Sequence, residues 1–420
     1  MSRIDLGLQR ISRLLNILKC PQKSWKTIHV AGTNGKGSVC AYLTSVLNQC
    51  RIKTGTFTSP HLIHRWDSIS INNKSIEEAE FAKVEEYVRK INETNEIGAS
   101  EFELLTATAF EIFLRNRIDV AVMEVGLGGL NDATNVFEPG ELIATIITSI
   151  GLDHVEFLGD SLTEIARHKA GIIKRGVPIV ADGTNAPEVL KVLEQTAAAH
   201  NAPLTVVNNG NANADNVYQS SGFGSIPLTL ALNGRHQRQN LSLALAALDI
   251  AKQHGLAGIT NASVINGLKS VSWPGRLQFL RINGTLVLLD GAHNVESAEV
   301  LREFVHSQTG APLTWLFAFS STKKAQNVMS VIFKDKQISD RTIGIYTTEF
   351  GPVEGMAWVK PQDRHKLADI AAQFHANVES LPLSEALTAA TSQKDGLTVV
   401  CGSLYLVSDI IRKISQSALH

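Results

Sequence analysis

The feature that most constrains the fold is a glycine-rich run at residues 32–38, between a short apolar stretch at 28–31 and a helix-compatible stretch at 39–48. A strand, a glycine-rich loop and a helix in this order are typical of a phosphate-binding loop. The glycines let backbone N–H groups converge on phosphate oxygens, and the helix N-terminus adds partial positive charge. Lys36 is placed to reach the outer phosphates, and Ser38 is placed to approach a phosphate or Mg²⁺.

The run does not follow the strict Walker A sequence. That sequence requires a glycine five residues before Gly35, where this chain has Val30. An extra glycine also separates Lys36 from Ser38. Taken alone, the pattern is therefore also compatible with an ordinary turn between a strand and a helix.

Strand and helix patterns alternate along the chain, which predicts parallel sheets covered by helices on both faces. Apolar runs predict strands at 28–31, 54–58, 119–125, 142–150, 177–181, 286–289, 314–319, 342–347 and 398–400. Helical spacing or composition predicts helices at 6–18, 39–48, 76–92, 102–114, 162–173 and 240–254. The Asn-, Gly- and Ser-rich stretch 208–224 is expected to be irregular and on the surface.

A chain of 420 residues favours two domains. We expect an α/β protein with an N-terminal domain at 1–280, built on a P-loop-type, mostly parallel sheet flanked by helices. A smaller, Rossmann-like α/β domain is expected at 284–420. The break lies near Trp273, Pro274, Gly275 and Arg276, which interrupt the alternation.

Composition excludes several classes of protein. The formal net charge of −1 provides no basic field for nucleic acid. No apolar run is long enough to span a membrane, and the first ten residues do not resemble a signal peptide or an organelle leader. The four scattered cysteines do not form a disulfide framework or a zinc motif. We therefore expect a cytoplasmic protein that acts as a monomer on small molecules, without nucleic-acid or membrane partners.

Several side chains that can carry chemistry follow predicted strands. Glu124 ends a buried apolar strand, where a carboxylate is costly unless it is paired or binds a metal. His154 follows the next strand. Because parallel strands deliver their carboxyl ends to one sheet edge, metal binding by these two residues is favoured. The alternatives are a loop-capping carboxylate and a structural histidine.

Four further residues are weaker signals. Lys169 lies on a predicted helix, and the residues alone favour a surface lysine there. Asp290 and His293 lie between a strand and a helix, where a plain N-cap region is the alternative to a nucleotide contact. Arg276 is a candidate phosphate clamp.

The order of these motifs resembles one family. The matching segments lie at 32–38, 59–62, 124–129, 152–154, 169–172, 274–276 and 290–294, and the resemblance extends from Asp5 to about Leu406. The chain is similar to the folylpolyglutamate synthase/dihydrofolate synthase family within the Mur ligase superfamily. The resemblance implies the two-domain fold above and an ATP-dependent ligase. In that reaction a pterin carboxylate becomes an acyl phosphate, which the amine of L-glutamate then displaces.

The resemblance also implies roles for individual residues. Lys36, Lys169 and His293 match catalytic positions. The ATP-binding positions are Gly32, Thr33, Asn34, Gly35, Lys36, Gly37, Ser38, Asn240, Arg276 and Asp290. The ligands of two Mg²⁺ ions correspond to Ser59, Glu124, His154 and Lys169, with Lys169 carbamylated by CO₂ so that it becomes an anionic oxygen ligand.

Within the family, the dihydropteroate-using branch is favoured, in particular the fungal dihydrofolate synthases. The implied dihydropteroate-binding residues are Asp5, Leu6, Gly7, Ser100, Glu101, Phe102, Glu103, Asn131, Asp132 and Ala133. Phe102 is expected to stack on the pterin ring, and Asp132 or Glu103 to hydrogen-bond its polar edge. Two residues depart from the family pattern: Leu130, where arginine is common, and His168, where glutamate is common.

Three other functions compete with a dihydrofolate synthase. The nearest is a folylpolyglutamate synthase or an enzyme with both activities. A regulatory or transport ATP-binding module without ligase activity accounts for the glycine-rich loop, but it assigns no role to Lys169, Arg276 or Asp290. The third is a structural α/β protein whose glycine-rich loops are only turns.

Overall fold

The computed structural model describes residues 6–208, 217–228, 230–308 and 310–417. The strands are β1 (Lys26–Ala31), β2 (Thr54–Phe57), β3 (Ile69–Ile71), β4 (Lys74–Ser75), β5 (Val120–Glu124), β6 (Leu142–Ile147), β7 (Ile179–Asp182), β8 (Leu204–Val207), β9 (Val217–Ser220), β10 (Gly224–Pro227), β11 (Gln278–Ile282), β12 (Thr285–Leu289), β13 (Leu313–Phe317), β14 (Thr342–Thr347), β15 (Val378–Ser380) and β16 (Leu397–Cys401). The α-helices are α1 (Gln9–Ile17), α2 (Lys36–Gln49), α3 (Glu78–Thr94), α4 (Glu101–Asn116), α5 (Val155–Leu158), α6 (Leu162–Ala170), α7 (Pro187–Ala199), α8 (Gln237–Gln253), α9 (Asn261–Lys269), α10 (Val295–Ser307), α11 (Ala325–Phe333), α12 (Lys336–Arg341), α13 (Arg364–Ala371), α14 (Leu383–Ala390) and α15 (Leu404–Ser417). Short 3₁₀ helices lie at Pro21–Ser24, Arg65–Ser68 and Pro139–Glu141.

The first sheet positions the predicted phosphate loop at its centre. Within the described residues it has eight strands in the order β4-β3-β2-β5-β1-β6-β7-β8. The pairs that involve β3 and β4 are antiparallel, and the other neighbours are parallel. Helices α2 and α8 contribute to the core on one face, and α1, α3 and α4 contribute to the core on the other. Because five central strands are parallel and buried, their carboxyl ends form one edge.

The second sheet is a separate, smaller α/β unit. In the described part of the chain its order is β11-β12-β16-β13-β14-β15, with only β11 antiparallel to its neighbour. Trp315, Phe317 and Phe319 form part of its buried core. The predicted fold class is confirmed. The boundary between 280 and 284 stays a prediction, and we note that β11 begins at Gln278, before that boundary.

The prediction for 208–224 was wrong over the described part of that stretch, and residues 209–216 lie outside the description. Strands β9 and β10 form an antiparallel hairpin. Tyr218, Phe223 and Ile226 are buried in the same core cluster as α8. Packing against a helix distant in sequence stabilises this hairpin, and local composition does not reveal such packing.

Two features bear on the predictions from composition. Among the residues described, none of the helices combines the length and the apolar character needed to cross a membrane. Cys20, Cys40, Cys50 and Cys401 are free thiols.

We predict that Gly267→Ala destabilises the protein. A Cβ at Gly267, on α9, would lie 2.5 Å from Val46 Cα on α2, so the two helices would have to separate. Overpacking of this kind costs about 1–3 kcal/mol, and the better helix propensity of alanine recovers up to about 1 kcal/mol of that. Urea unfolding should therefore show a net loss of about 1–2 kcal/mol.

The matched control is Gly140→Ala, because no atom lies within 4 Å of a Cβ built there. An equal change in the free energy of unfolding for the two variants would contradict the packing argument.

Candidate active site

The predicted phosphate loop connects β1, at the centre of the first sheet, directly to α2. Thr33 and Asn34 donate their N–H groups to Ser149 O at 2.7 and 3.2 Å, which ties the loop to the end of β6. Gly35 precedes the helix with a φ of 90°, and a Cβ there would lie 2.5 Å from the side-chain oxygen of Asn240. Only glycine fits this position without strain. The first N–H groups of α2 have no partner inside the helix, so this end of the helix suits an anion.

Two opposite charges meet beside the loop. Lys36 Nζ lies 3.7 Å from Glu124 Oε1, because β1 pairs with β5 in a register that sets Val30 opposite Glu124. Glu124 is 5% exposed. Burial raises its pKa, while the charges of Lys36 and Arg276 oppose that rise. Ser59 N lies 3.4 Å from the other Glu124 oxygen, so the predicted pair of Ser59 and Glu124 is in contact.

Lys169 is buried beneath the phosphate loop. Helix α6 carries it, and Nζ donates a hydrogen bond of 2.7 Å to Gly32 O. Burial, with the charge of Lys36, lowers the pKa of Lys169 to about 7. The alternative of a surface lysine is therefore wrong.

The two departures from the family pattern lie together. Leu130 N donates to His168 O at 2.7 Å, and a Cβ at Gly129 would lie 2.8 Å from the same oxygen. Asn135 Nδ2 donates to Gly171 O at 3.1 Å, just after α6. These contacts fasten the loop after β5 to the helix that carries Lys169.

Asp153 joins the two domains across the site. Its carboxylate accepts a hydrogen bond of 2.5 Å from Lys323 Nζ, and Asn294 Nδ2 and His293 Nε2 each lie 3.5 Å from its other oxygen. Burial opposes the shift, but the hydrogen bond to His293 and the positive charges around the carboxylate hold the pKa of Asp153 well below its usual value. His154 Nε2 lies 4.0 Å from the same carboxylate, and its side chain is 44% exposed.

Asp290 and Arg276 lie where the chain enters the second domain. Both Asp290 oxygens accept backbone hydrogen bonds, from Leu277 N at 2.9 Å and from Ala292 N at 2.8 Å. Burial raises the pKa of Asp290, and Arg276 opposes the rise. The Arg276 side chain packs against Gly291, and its charge acts on both Glu124 and Asp290.

Sequence reasoning missed two residues that contact the phosphate loop. Gln237 Nε2 donates to Ser38 Oγ at 3.2 Å, and its Oε1 accepts from Asn240 Nδ2 at 3.1 Å. Gln237 precedes Asn240 by three residues on α8, a helical spacing that places both on one face and was available in the sequence. Trp273 packs against Gly37, where a Cβ would lie 2.5 Å from the indole ring.

The residues predicted to bind dihydropteroate lie on three neighbouring segments. Gly7 N donates to Asn131 O at 3.2 Å. This hydrogen bond joins the N-terminal run that contains Leu6 to the loop that continues through Ala133. Asp5 lies outside the described residues. The Phe102 ring packs against Gly126, where a Cβ would lie 2.3 Å from the ring.

Three of these side chains already have partners in the protein. Both Asp132 oxygens hold the loop, through Leu127 N at 2.8 Å and Thr134 N at 3.0 Å. Glu103 forms a capping box with Ser100 and accepts from Arg10 Nε at 2.9 Å. The other Glu103 oxygen is buried without a hydrogen-bond partner in the described part of the chain. Glu103 is therefore a better hydrogen-bond acceptor for a ligand than Asp132, whose two oxygens are both in use.

The site fits a metal ion that takes part of its ligands from a nucleotide. Among the residues described, no three His, Cys, Asp or Glu side chains are close enough to hold a metal by themselves. Glu124 contributes one buried carboxylate, Ser59 lies next to it through its backbone N at 3.4 Å, and Ser38 lies in the first turn of α2. Mg²⁺ is commonly held by one or two carboxylates together with phosphate oxygens and water.

Comparison with known proteins decides the family. The Mur ligase middle domain model matches residues 30–248, and the dihydrofolate synthetase C-terminal domain model matches residues 276–413. The chain is 39% identical to a probable dihydrofolate synthetase of Schizosaccharomyces pombe and 39% identical to the dihydrofolate synthetase of Saccharomyces cerevisiae, in each case over 97% of this chain and 98% of the relative. The chain belongs to the dihydrofolate synthase/folylpolyglutamate synthase family of Mur ligases. The ligase class predicted from the sequence is therefore confirmed.

Solved structures of this family share the whole fold. E. coli FolC in complex with DHPP and ADP has a TM-score of 0.82 at 25% identity, over 100% of this chain and 95% of that one. A Yersinia pestis folylpolyglutamate synthase/dihydrofolate synthase, complexed with AMPPNP and a Mn ion, has a TM-score of 0.80 at 25% identity, over 99% of this chain and 95% of that one. ATP and a divalent metal are therefore the ligand classes of this fold.

We predict that Lys169→Met raises the free energy of unfolding at pH 7 and below, and that this effect declines as the pH rises above 7. In the folded protein the pKa of Lys169 is about 7, against 10.5 for an ordinary lysine, so the unfolded chain binds more protons between these values. The wild type should then gain stability as the pH rises from about 7 to about 10. The difference in the free energy of unfolding between the variant and the wild type should shrink from about 4 kcal/mol toward zero.

Urea unfolding in CO₂-free buffer measures this trend. Lys191→Met, at an exposed lysine on α7, corrects for the general effect of removing a lysine. If the difference in the free energy of unfolding stays constant across this pH range, the pKa of Lys169 is not lowered in the folded protein.

Proposed function

We propose that this protein is a dihydrofolate synthetase that joins L-glutamate to 7,8-dihydropteroate with ATP, giving dihydrofolate, ADP and phosphate. The observation that supports this most is the contact of Lys36 with Glu124 at the carboxyl edge of the first sheet, where the charge of Arg276 also acts on Glu124. Two anions, a triphosphate and a carboxylate, have to be held together for this reaction, and the loop N–H groups and these cations offset their repulsion.

The reaction has two steps. A carboxylate oxygen of dihydropteroate forms a bond to the γ-phosphorus, and ADP leaves. The glutamate amine then forms a bond to the acyl carbon and loses a proton, and phosphate leaves with the electron pair of the broken C–O bond. Lys36 and the N-terminus of α2 hold the phosphates. Asp153 keeps the second domain closed over them, so that water is kept from the acyl phosphate.

Glu124, with Ser59 and Ser38, would hold Mg²⁺ against the phosphates. When bound, the ion supplies positive charge next to the transferred phosphoryl group. A second Mg²⁺ is proposed at His154 and Lys169.

We propose that Lys169 is carbamylated. A neutral amine is the form that combines with CO₂, and the pKa of about 7 means that a large fraction of Lys169 is neutral at physiological pH. The carbamate replaces a positive charge near Lys36 with an anionic oxygen ligand. The cytoplasmic location, the monomeric state and the absence of nucleic-acid or membrane partners are proposed from composition alone.

The experiment that tests the function offers the purified enzyme dihydropteroate and tetrahydrofolate separately, with ATP and labelled glutamate. Labelled dihydrofolate from dihydropteroate is the expected product. If only tetrahydrofolate is extended, the protein is a folylpolyglutamate synthase. If ATP is hydrolysed at full rate without either acceptor, the protein is an ATP-binding module of another kind.

We predict that Lys36→Ala lowers kcat/KM by at least about a hundredfold, because a lysine on the transferred phosphoryl group is worth several kcal/mol in a water-excluded site. The variant should still fold, with some loss of stability, because the Lys36 side chain is only 15% exposed and pairs with Glu124. Steady-state kinetics and thermal unfolding measure the two effects. Undiminished turnover would contradict the assignment of the phosphate loop.

We predict that Lys169→Ala is inactive and is partly rescued by a short carboxylic acid such as acetate. The free acid can occupy the space of the side chain and supply the oxygen ligand that the carbamate provides. Alanine at the exposed Lys191 serves as the control and should show no response to acetate. Full activity of Lys169→Ala without acetate would dismiss the ligand role.

A further inference from the structure

Two arginines and two glutamates form a closed ion network beside the predicted pterin site. Arg65 contacts Glu85 at 2.6 Å and Glu101 at 3.0 Å. Arg89 contacts Glu85 at 3.0 Å and Glu101 at 2.6 Å. Each guanidinium is therefore shared by the same two carboxylates, and the hydrogen bonds to Arg89 and Arg65 hold the pKa of Glu101 below its usual value against the effect of burial.

The network lies between the pterin-side segments and the second domain. Glu101 is the first residue of α4 and directly precedes Phe102, whose ring packs against Gly126 in the loop after Glu124. A Cβ at Gly355, in the second domain, would lie 2.8 Å from Arg65 Nη1. The Glu101 side chain is 39% exposed, so a ligand can reach it, whereas that of Arg65 is 10% exposed.

An acceptor that already carries glutamate differs from dihydropteroate in charge. Its tail adds carboxylates, and guanidinium groups are the side chains best suited to bind carboxylates in pairs. Here Arg65 and Arg89 are bound to carboxylates of the protein itself. An anionic tail would therefore meet arginines whose positive charge is already balanced by Glu85 and Glu101.

We propose that Glu101 is a specificity-determining residue, which occupies Arg65 and Arg89 and thereby restricts the enzyme to an acceptor without a glutamate tail. This inference rests on the proposed function and extends it, because it predicts that the enzyme adds a single glutamate. Glu101 thus discriminates against the longer acceptor instead of binding the pterin ring.

The test compares dihydropteroate and dihydrofolate as acceptors for full-length wild type and Glu101→Gln, with labelled glutamate and separation of the products by chain length. Glutamine keeps the size of the side chain and removes its charge. The ratio of kcat/KM for dihydrofolate to that for dihydropteroate should rise at least about tenfold in the variant, the size expected for one recovered charge-assisted hydrogen bond.

The matched control is Glu111→Gln. Glu111 lies on the same helix and pairs with an arginine in the same way, through Arg115 Nε at 2.8 Å, but ten residues further along α4. Its acceptor ratio should equal that of the wild type. Glu85→Gln removes the other shared carboxylate and should shift the ratio in the same direction as Glu101→Gln, which keeps the test valid if one variant does not fold.

The outcomes separate the inference from the proposed function. Equal acceptor ratios for Glu101→Gln, Glu85→Gln and Glu111→Gln would overturn the role of Glu101. A wild type that extends dihydrofolate as well as dihydropteroate would also overturn it, while the ligase function would stand. A wild type that does not use dihydropteroate would overturn the proposed function itself.

Discussion

The structure depends on how buried charges are compensated at the junction of β1 and β5. Glu124 ends a strand that is apolar on both faces, where burial raises its pKa, and the charges of Lys36, at 3.7 Å, and Arg276 oppose that rise. A protonated Lys169 would add a further positive charge nearby. Burial lowers the pKa of Lys169 to about 7 and so reduces the protonated fraction. The site is thus short of anionic groups when it holds no ligand, which is the condition that favours a triphosphate.

The second domain completes the site through one carboxylate of the first. Asp153 contacts Lys323, His293 and Asn294, all from the second domain. Glu296 adds a further link through its hydrogen bond of 3.2 Å from Leu152 N. These contacts hold the start of α10 and the loop before α11 against the loop that follows β6. Charge pairing thus contributes to the contact between the two domains.

Sequence reasoning identified the motifs because strand-to-loop junctions repeat along an α/β chain. Glu124, Ser59 and Lys36 converge as expected, since parallel strands bring their carboxyl ends to one edge. The sequence was less informative about the contacts of each polar side chain. Asp132 and Asp290 use both oxygens to hold their own loops, and Glu101 is bound by two arginines. Such pairings join residues far apart in the chain, and local patterns do not encode them.

The sequence by itself determined the fold class, the position of the glycine-rich loop between a strand and a helix, and the family, because these depend on local periodicity, glycine positions and the order of motifs. Only the tertiary structure decided that Lys169 is buried, that Gln237 holds Ser38, and that the β9–β10 hairpin packs on α8. The physical reason is that burial and the pairing of charges are properties of the space between elements. A helix or a strand specifies which of its faces is apolar, but the neighbouring elements determine which charges that face will meet.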